Sequence, residues 1–152
     1  MSPPRGRIEV MHGVNLDQLG RRDPQIYGAL TLVELERRIE QEAGRLDLEA
    51  SFFHTNHEGE FVERLHSLRG QADGVLLNPG AWTHYSWAIR DALEIAALPA
   101  VEVHLSDVRN REPWRRVSVI AELCFATVSG RGAEGYGDAL SLLRERLDGG
   151  AS

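Results

Sequence analysis

The sequence predicts an α/β domain: a parallel sheet with helices packed on both faces. Three observations predict it. Short apolar runs of strand length alternate with longer stretches of helical spacing. No internal repeat or low-complexity linker interrupts that alternation. The 152 residues are the size of one domain, enough to bury a core without staples. Residues 1–152 therefore read as a single domain, with 1–6 and 148–152 expected to be mobile tails.

Each element has its own justification. RIEVMHG (7–13) is the first strand. Residues 14–30 form a long connection, NLDQLGRRDPQIYG at its heart, with Arg21 and Arg22 adjacent and Pro24 and Tyr27 following. Thr31 and Glu34 make a capping box, and Leu32, Leu35, Ile39, Ala43 and Leu46 continue at helical spacing. LEASFFH (48–54) is the second strand. EFVERLHSL (60–68) puts Phe61, Leu65 and Leu68 on one helical face, and Gly70 ends it. DGVLLN (73–78) is an apolar run suited to a strand buried on both faces. SWAIRDALEIAA (86–97) is a helix, and LPAVEVH (98–104) a strand opened by proline. ELCFATVSG (122–130) is the fifth strand. AEGYGDALSLLRERL (133–147) is the closing helix, with Gly137 weakening its first turn. Five strands in this alternation suit a flavodoxin-like three-layer sandwich, sheet order 2-1-3-4-5. In such sheets ligands bind beyond the carboxyl ends of the strands, near the point where the order reverses.

Composition excludes several functions. No apolar run approaches the ~18 residues of a membrane span. MSPPRGR is not followed by the apolar segment of a secretory signal. The lone Cys124 cannot form an intrachain disulfide or a multi-cysteine metal site, so a reducing cytoplasm is the simplest setting. The net charge of −6 disfavours nucleic acid as a partner. All 17 basic side chains are arginines, so a lysine Schiff base is closed to this chain.

The polar residues gather where the strands end. The first strand runs into His12, Gly13 and Asn15; the second into His54, Asn56 and His57. The third ends at Asn78, followed by PGAWTH with His84; the fourth ends at His104, followed by Ser106. Taken singly, Asn56 or Asn78 is an ordinary cap or turn residue. Their coincidence at four strands points to a cleft. Glu102 shares a strand face with His104 and either orients that ring or is a solvated, ladder-paired carboxylate. No HExxH, cysteine cluster or regular histidine spacing supports a metal. Arg21–Arg22 and the group Arg109, Arg111, Arg115 and Arg116 frame this edge and suit a small anion, a carboxylate first. No GxGxxG or P-loop pattern supports a nucleotide.

A long loop in a compact α/β domain is often a lid. The turn at Pro24 brings Tyr27 near Arg22, whose guanidinium would favour a phenolate. Such a phenolate under a closing lid is a base able to take a proton alpha to a ketone. Equally, Tyr27 packs the loop against the domain; spacing alone does not choose.

Five segments carry a resemblance: HGVNLDQLGRRDPQIYG, TNHEGE, LLNPGAWTH, IRDAL and VEVHLSDVRNREPWRR. In this order they resemble the type II 3-dehydroquinate dehydratases, over residues 8 to 147. The resemblance implies the flavodoxin-like fold, a dodecamer built from trimers, and anti elimination of water from 3-dehydroquinate through an enolate, with no metal or cofactor. It implies Tyr27 as the base for the C2 proton, with Arg22 supporting its phenolate and the lid. It implies Asn15 as holder of a water against the enolate oxygen, and His104, with Glu102 beside it, as the acid for the C1 hydroxyl. Asn78, Leu105 and Ser106 would contact the substrate, His84 and Arg115 its hydroxyls, and Asp91 would be lent to a neighbouring subunit. A paralogue acting on a related cyclic hydroxy-keto acid, and a non-catalytic binder of a small cyclic carboxylate, are the alternatives. Tyr27, Arg22 and His104 argue against the binder, which needs no acid–base pair.

The chain also departs from the family pattern. It has HGVN where NGPN is usual, Ser106–Asp107 where SN is usual, Arg109 where histidine is common, and VSVIA (117–121) where an HSY segment is usual. Trp82, Tyr85 and Trp87 are bulkier than expected near the third strand's exit. Whether His12, Asp107, Arg109 and these three aromatics retune substrate choice is a question the sequence alone leaves open.

Overall fold

The computed structural model describes residues 6–149. Strand β1 (Arg7–His12) alternates as a two-residue period requires, sending Ile8 and Val10 to one face of the sheet and Met11 to the other. It pairs in parallel with β2 (Glu49–His54) on one side and β3 (Gly74–Asn78) on the other. β4 (Ala100–His104) and β5 (Ala126–Ser129) complete the five-stranded order β2-β1-β3-β4-β5. This is the predicted flavodoxin-like α/β sandwich, and the order reverses between β1 and β3.

Helices cover both faces. α2 (Leu32–Arg45) and α5 (Glu134–Gly149) lie over one, burying Leu35, Ile39, Tyr136 and Leu140 against Ile8, Val10, Leu76 and Val101. α3 (Glu58–Ser67) and α4 (Trp87–Ala96) lie over the other, burying Phe61, Leu65, Ile89 and Leu93 against Met11, Val75 and Leu77. The Thr31–Glu34 capping box opens α2, and the Ser86 side chain caps α4 by accepting from the Ile89 N–H. Among the described residues no helix is long and apolar enough to cross a membrane.

Three expectations need correction. The connection 14–30 is not all loop: Pro24–Tyr27 is a one-turn helix, α1, because Pro24 is set for a first helical position and Asp23 caps it. The fifth strand starts later than predicted. Residues Ala121–Leu123 form a 3-10 turn, and pairing with β4 begins at Ala126. Of the two expected tails, 1–5 and 150–152 lie outside the described residues, but Asp148 and Gly149 belong to α5, where Arg144 reaches Asp148 at 2.8 Å.

Candidate active site

The cleft opens where the sheet order reverses, and two glycines make it possible. Gly13 leaves β1 so close to the exit of β3 that a Cβ there would sit 2.1 Å from the Pro79 carbonyl oxygen. Gly80 has φ of +67°, and a Cβ on it would meet the Val14 carbonyl oxygen at 2.6 Å. This backbone-to-backbone approach sets Asn15 and Asn78 side by side on the cleft wall. The cleft holds about 590 Å³ of space, its open mouth included, which suits a small ligand.

Asn15 is held in a left-handed conformation, φ +69°. Its backbone N–H donates to Asn56 Oδ1 at 2.8 Å, and Asn56 Nδ2 donates to Asp17 at 3.2 Å. The opposite ends of the Asn56 amide are thus committed. Asn56 anchors the loop's first turn without lining the cleft.

Tyr27 ends α1 and leans over the cleft. Its oxygen accepts from Arg22 Nη2 at 2.6 Å and from Arg111 Nη2 at 2.8 Å. The Arg22 guanidinium carbon lies 3.8 Å from the Tyr27 ring centroid. Arg111 also donates to Ser106 Oγ at 3.2 Å, tying the 14–30 segment to the exit of β4. Tyr27 packs against the core as well, so core packing and a hydroxyl presented to the cleft are compatible.

Across the cleft stand β4 and its exit. Glu102 and His104 share a face, both buried, with His104 Nε2 2.6 Å from Glu102 Oε2. Ser118 Oγ donates to the other carboxylate oxygen, Oε1, at 2.8 Å. The solvated reading of Glu102 is thereby excluded. The His84 ring lies 6.3 Å from the His104 ring, and its Nδ1 is 2.6 Å from the Val117 carbonyl oxygen. A carbonyl only accepts, so Nδ1 carries the proton and Nε2 is left as an acceptor. Burial, chiefly, holds the His84 pKa below its ordinary 6.5, which keeps this neutral form.

Nine of the eleven expected residues line one cleft: Asn15, Arg22, Tyr27, Asn78, His84, His104, Leu105, Ser106 and Arg115. Glu102 sits behind His104, and Asp91 is exposed on α4, away from its own chain's cleft. Sequence reasoning grouped Arg111 with three other arginines, and only Arg111 and Arg115 of that group line the cleft. Arg21 instead binds Gln18. Ser118 was not anticipated at all.

The residues that depart from the family pattern mostly face elsewhere. His12 is fully buried under α2, its Nε2 3.0 Å from Glu36 but misaligned for a hydrogen bond. Trp82 packs into the core edge-on to Phe61, and Tyr85 and Trp87 are exposed. Asp107 caps the 3-10 turn Val108–Asn110. None of these, nor Arg109, lines the cleft; Val14 does. Among the described residues no three His, Cys, Asp or Glu side chains converge as a metal set.

Residues 6–144 match the model of the class II dehydroquinase family. The chain belongs to the class II dehydroquinases. It is 50% identical to a 3-dehydroquinate dehydratase of Thermotoga neapolitana, over 91% of this chain and 94% of that one. The type II dehydroquinase of Butyrivibrio crossotus superposes with a TM-score of 0.89 at 36% identity, over 93% of this chain and 99% of that one. That of Propionibacterium acnes gives 0.88 at 38% identity, over 95% and 99%. The class II dehydroquinase segment LLNPGAWTH thus spans β3 and its exit, and VEVHLSDVRN spans β4 and its exit.

Proposed function

We propose that this class II dehydroquinase removes water from 3-dehydroquinate to give 3-dehydroshikimate, without metal or cofactor. One observation carries the reading: a phenol oxygen gripped by two guanidiniums shares a cleft with a buried imidazole–carboxylate pair. Relatives named for this activity cover nearly the whole chain. Two guanidinium donors on one oxygen stabilise negative charge there, and the phenolate of Tyr27 takes the C2 proton. Charge then moves onto the C3 oxygen as an enolate, which Asn15 supports through a held water. The enolate collapses, and His104, with Glu102 balancing its imidazolium, gives a proton to the departing C1 hydroxyl. Asn78 and the backbone at Leu105 and Ser106 hold the substrate. Arg115 and His84 Nε2 hold its hydroxyls. Arg111 shares the Tyr27 oxygen with Arg22, and through Ser106 it links closure of the segment to the β4 side of the cleft.

We further infer that the chain assembles with copies of itself, as trimers that build a dodecamer, and that Asp91 serves a neighbour's cleft. Asp91 is exposed on α4 with two large apolar neighbours, Trp87 at 64% and Ile95 at 56% exposure. A cytoplasmic enzyme acting on a small carboxylate fits the single, unpaired Cys124.

The test is direct. Purified protein and 3-dehydroquinate are followed by the ultraviolet absorbance of the conjugated product. Turnover is expected to survive chelators and borohydride and to vanish in Tyr27→Phe. A parent protein that binds 3-dehydroquinate without turnover would favour the binder instead.

A further inference from the structure

The carboxylate of Glu102 is buried and has two oxygens to satisfy. His104 occupies one, and Ser118 Oγ meets the other at 2.8 Å. A hydroxyl has a single proton and two lone pairs. Ser118 Oγ accepts from the backbone N–H of Ile120 at 3.3 Å and from that of Ala121 at 3.1 Å. Both lone pairs are occupied, so its proton is directed to Glu102. The residues on either side are pinned as well. The Val117 carbonyl takes the His84 ring proton, and the Val119 N–H donates to the Thr83 carbonyl at 2.9 Å. Ser118 itself does not line the cleft.

We propose that Ser118 is a positioning residue for the dehydration. Its hydroxyl, locked as a donor, fixes the rotation of the Glu102 carboxylate and through it the angle at which His104 meets the substrate. This rests on the dehydratase reading for its catalytic consequence. The terminal torsion of a glutamate is soft and roughly two-fold, so one hydrogen bond to one oxygen does not fix it. Two partners on opposite oxygens do. Removing Ser118's donor leaves a buried oxygen unpaired, and the carboxylate turns to seek another partner. The imidazole then loses its fixed support while the residues that touch substrate stay in place.

The experiment uses S118A and S118T, each also in an E102Q background. Two readouts are taken: steady-state kinetics with 3-dehydroquinate, and the low-field proton spectrum of the ring N–H between His104 and Glu102. In S118A, kcat is expected to fall about ten-fold while KM stays within about two-fold. The ring-proton signal should move upfield or vanish. S118T, which keeps the hydroxyl, should restore both. In the E102Q background, S118A should cost less than about two-fold, because the group it acts through is already altered. A parental kcat and signal in S118A would overturn the proposal, as would an undiminished loss in the E102Q background. If S118A does not fold, S118C keeps the volume with a much weaker donor. It should change both readouts in the same direction, and parental values there overturn the proposal too. The spectrum reports the contact whether or not the chain turns over. A parent inactive on 3-dehydroquinate, with a signal that shifts in S118A and returns in S118T, would defeat the dehydratase reading and still support Ser118 as the group that positions Glu102.

Discussion

Arg22→Ala removes the guanidinium that donates to the Tyr27 oxygen at 2.6 Å and stacks 3.8 Å from the ring centroid. A hydrogen bond from a charged donor contributes about 1.5–3 kcal/mol. If the negative oxygen is the base, that loss appears in turnover as a fall of about ten- to hundred-fold in kcat. Arg111 keeps its own contact at 2.8 Å, which limits the damage of the single change. The double variant R22A/R111A leaves the oxygen with neither donor and should lose about a thousand-fold, more than either alone. Arg22→Lys keeps the charge without the planar fork and should fall between parent and R22A. The assay is the initial rate of product absorbance at saturating substrate. Circular dichroism and Tm serve as the control for folding, since Arg22 is only half-buried. A kcat for R22A within about two-fold of the parent would refute the claim that this guanidinium supports the base.

Other outcomes follow from the same geometry. Gly13→Ala forces a Cβ against the Pro79 carbonyl and should cost about 3–5 kcal/mol, read as a Tm drop of roughly ten degrees. His84, whose pKa is held below 6.5 by burial, resists protonation when folded, whereas the unfolded chain accepts it. The stability this group contributes is therefore complete above about pH 6.5 and lost as pH falls through its lower folded value; His84→Gln should flatten the Tm-against-pH curve there. If Asp91 acts across a subunit boundary, mixing inactive Y27F and D91N proteins under reassembly should restore part of the activity. Mixed oligomers that stay inactive would place Asp91 outside the neighbour's cleft.

Much of this molecule was legible in its residues, and the limits have physical reasons. The strands announced themselves by apolar runs, and α2 by its capping box and apolar stripe. α1 escaped because four residues are too few for a periodic pattern. The start of β5 was misjudged because Cys124 and Phe125 look like strand residues, while the backbone N–H groups of Leu123 and Cys124 are already committed to the Ile120 and Ala121 carbonyls. Within the site, Glu102 and His104 were readable because two residues of spacing fixes a shared strand face. Arg111 was not separable from Arg109, Arg115 and Arg116, since irregular backbone imposes no period on side-chain direction. Ser118 carried no signal at all: its role depends on a partner sixteen residues away and on two backbone amides. His12 was placed on the rim by its position at the end of β1, yet the same alternation that buries Ile8 and Val10 turns it beneath α2.

The proposed mechanism divides the labour: Tyr27 would break the carbon–hydrogen bond and His104 would release the hydroxyl. Proton magnetic resonance of 3-dehydroquinate in heavy water separates the two steps. With His104→Ala, the C2 hydrogen should exchange for deuterium faster than in buffer while little product forms. With Tyr27→Phe, neither exchange above the buffer rate nor product should be seen. Parental exchange in Y27F, or exchange at the buffer rate in H104A, would contradict the account.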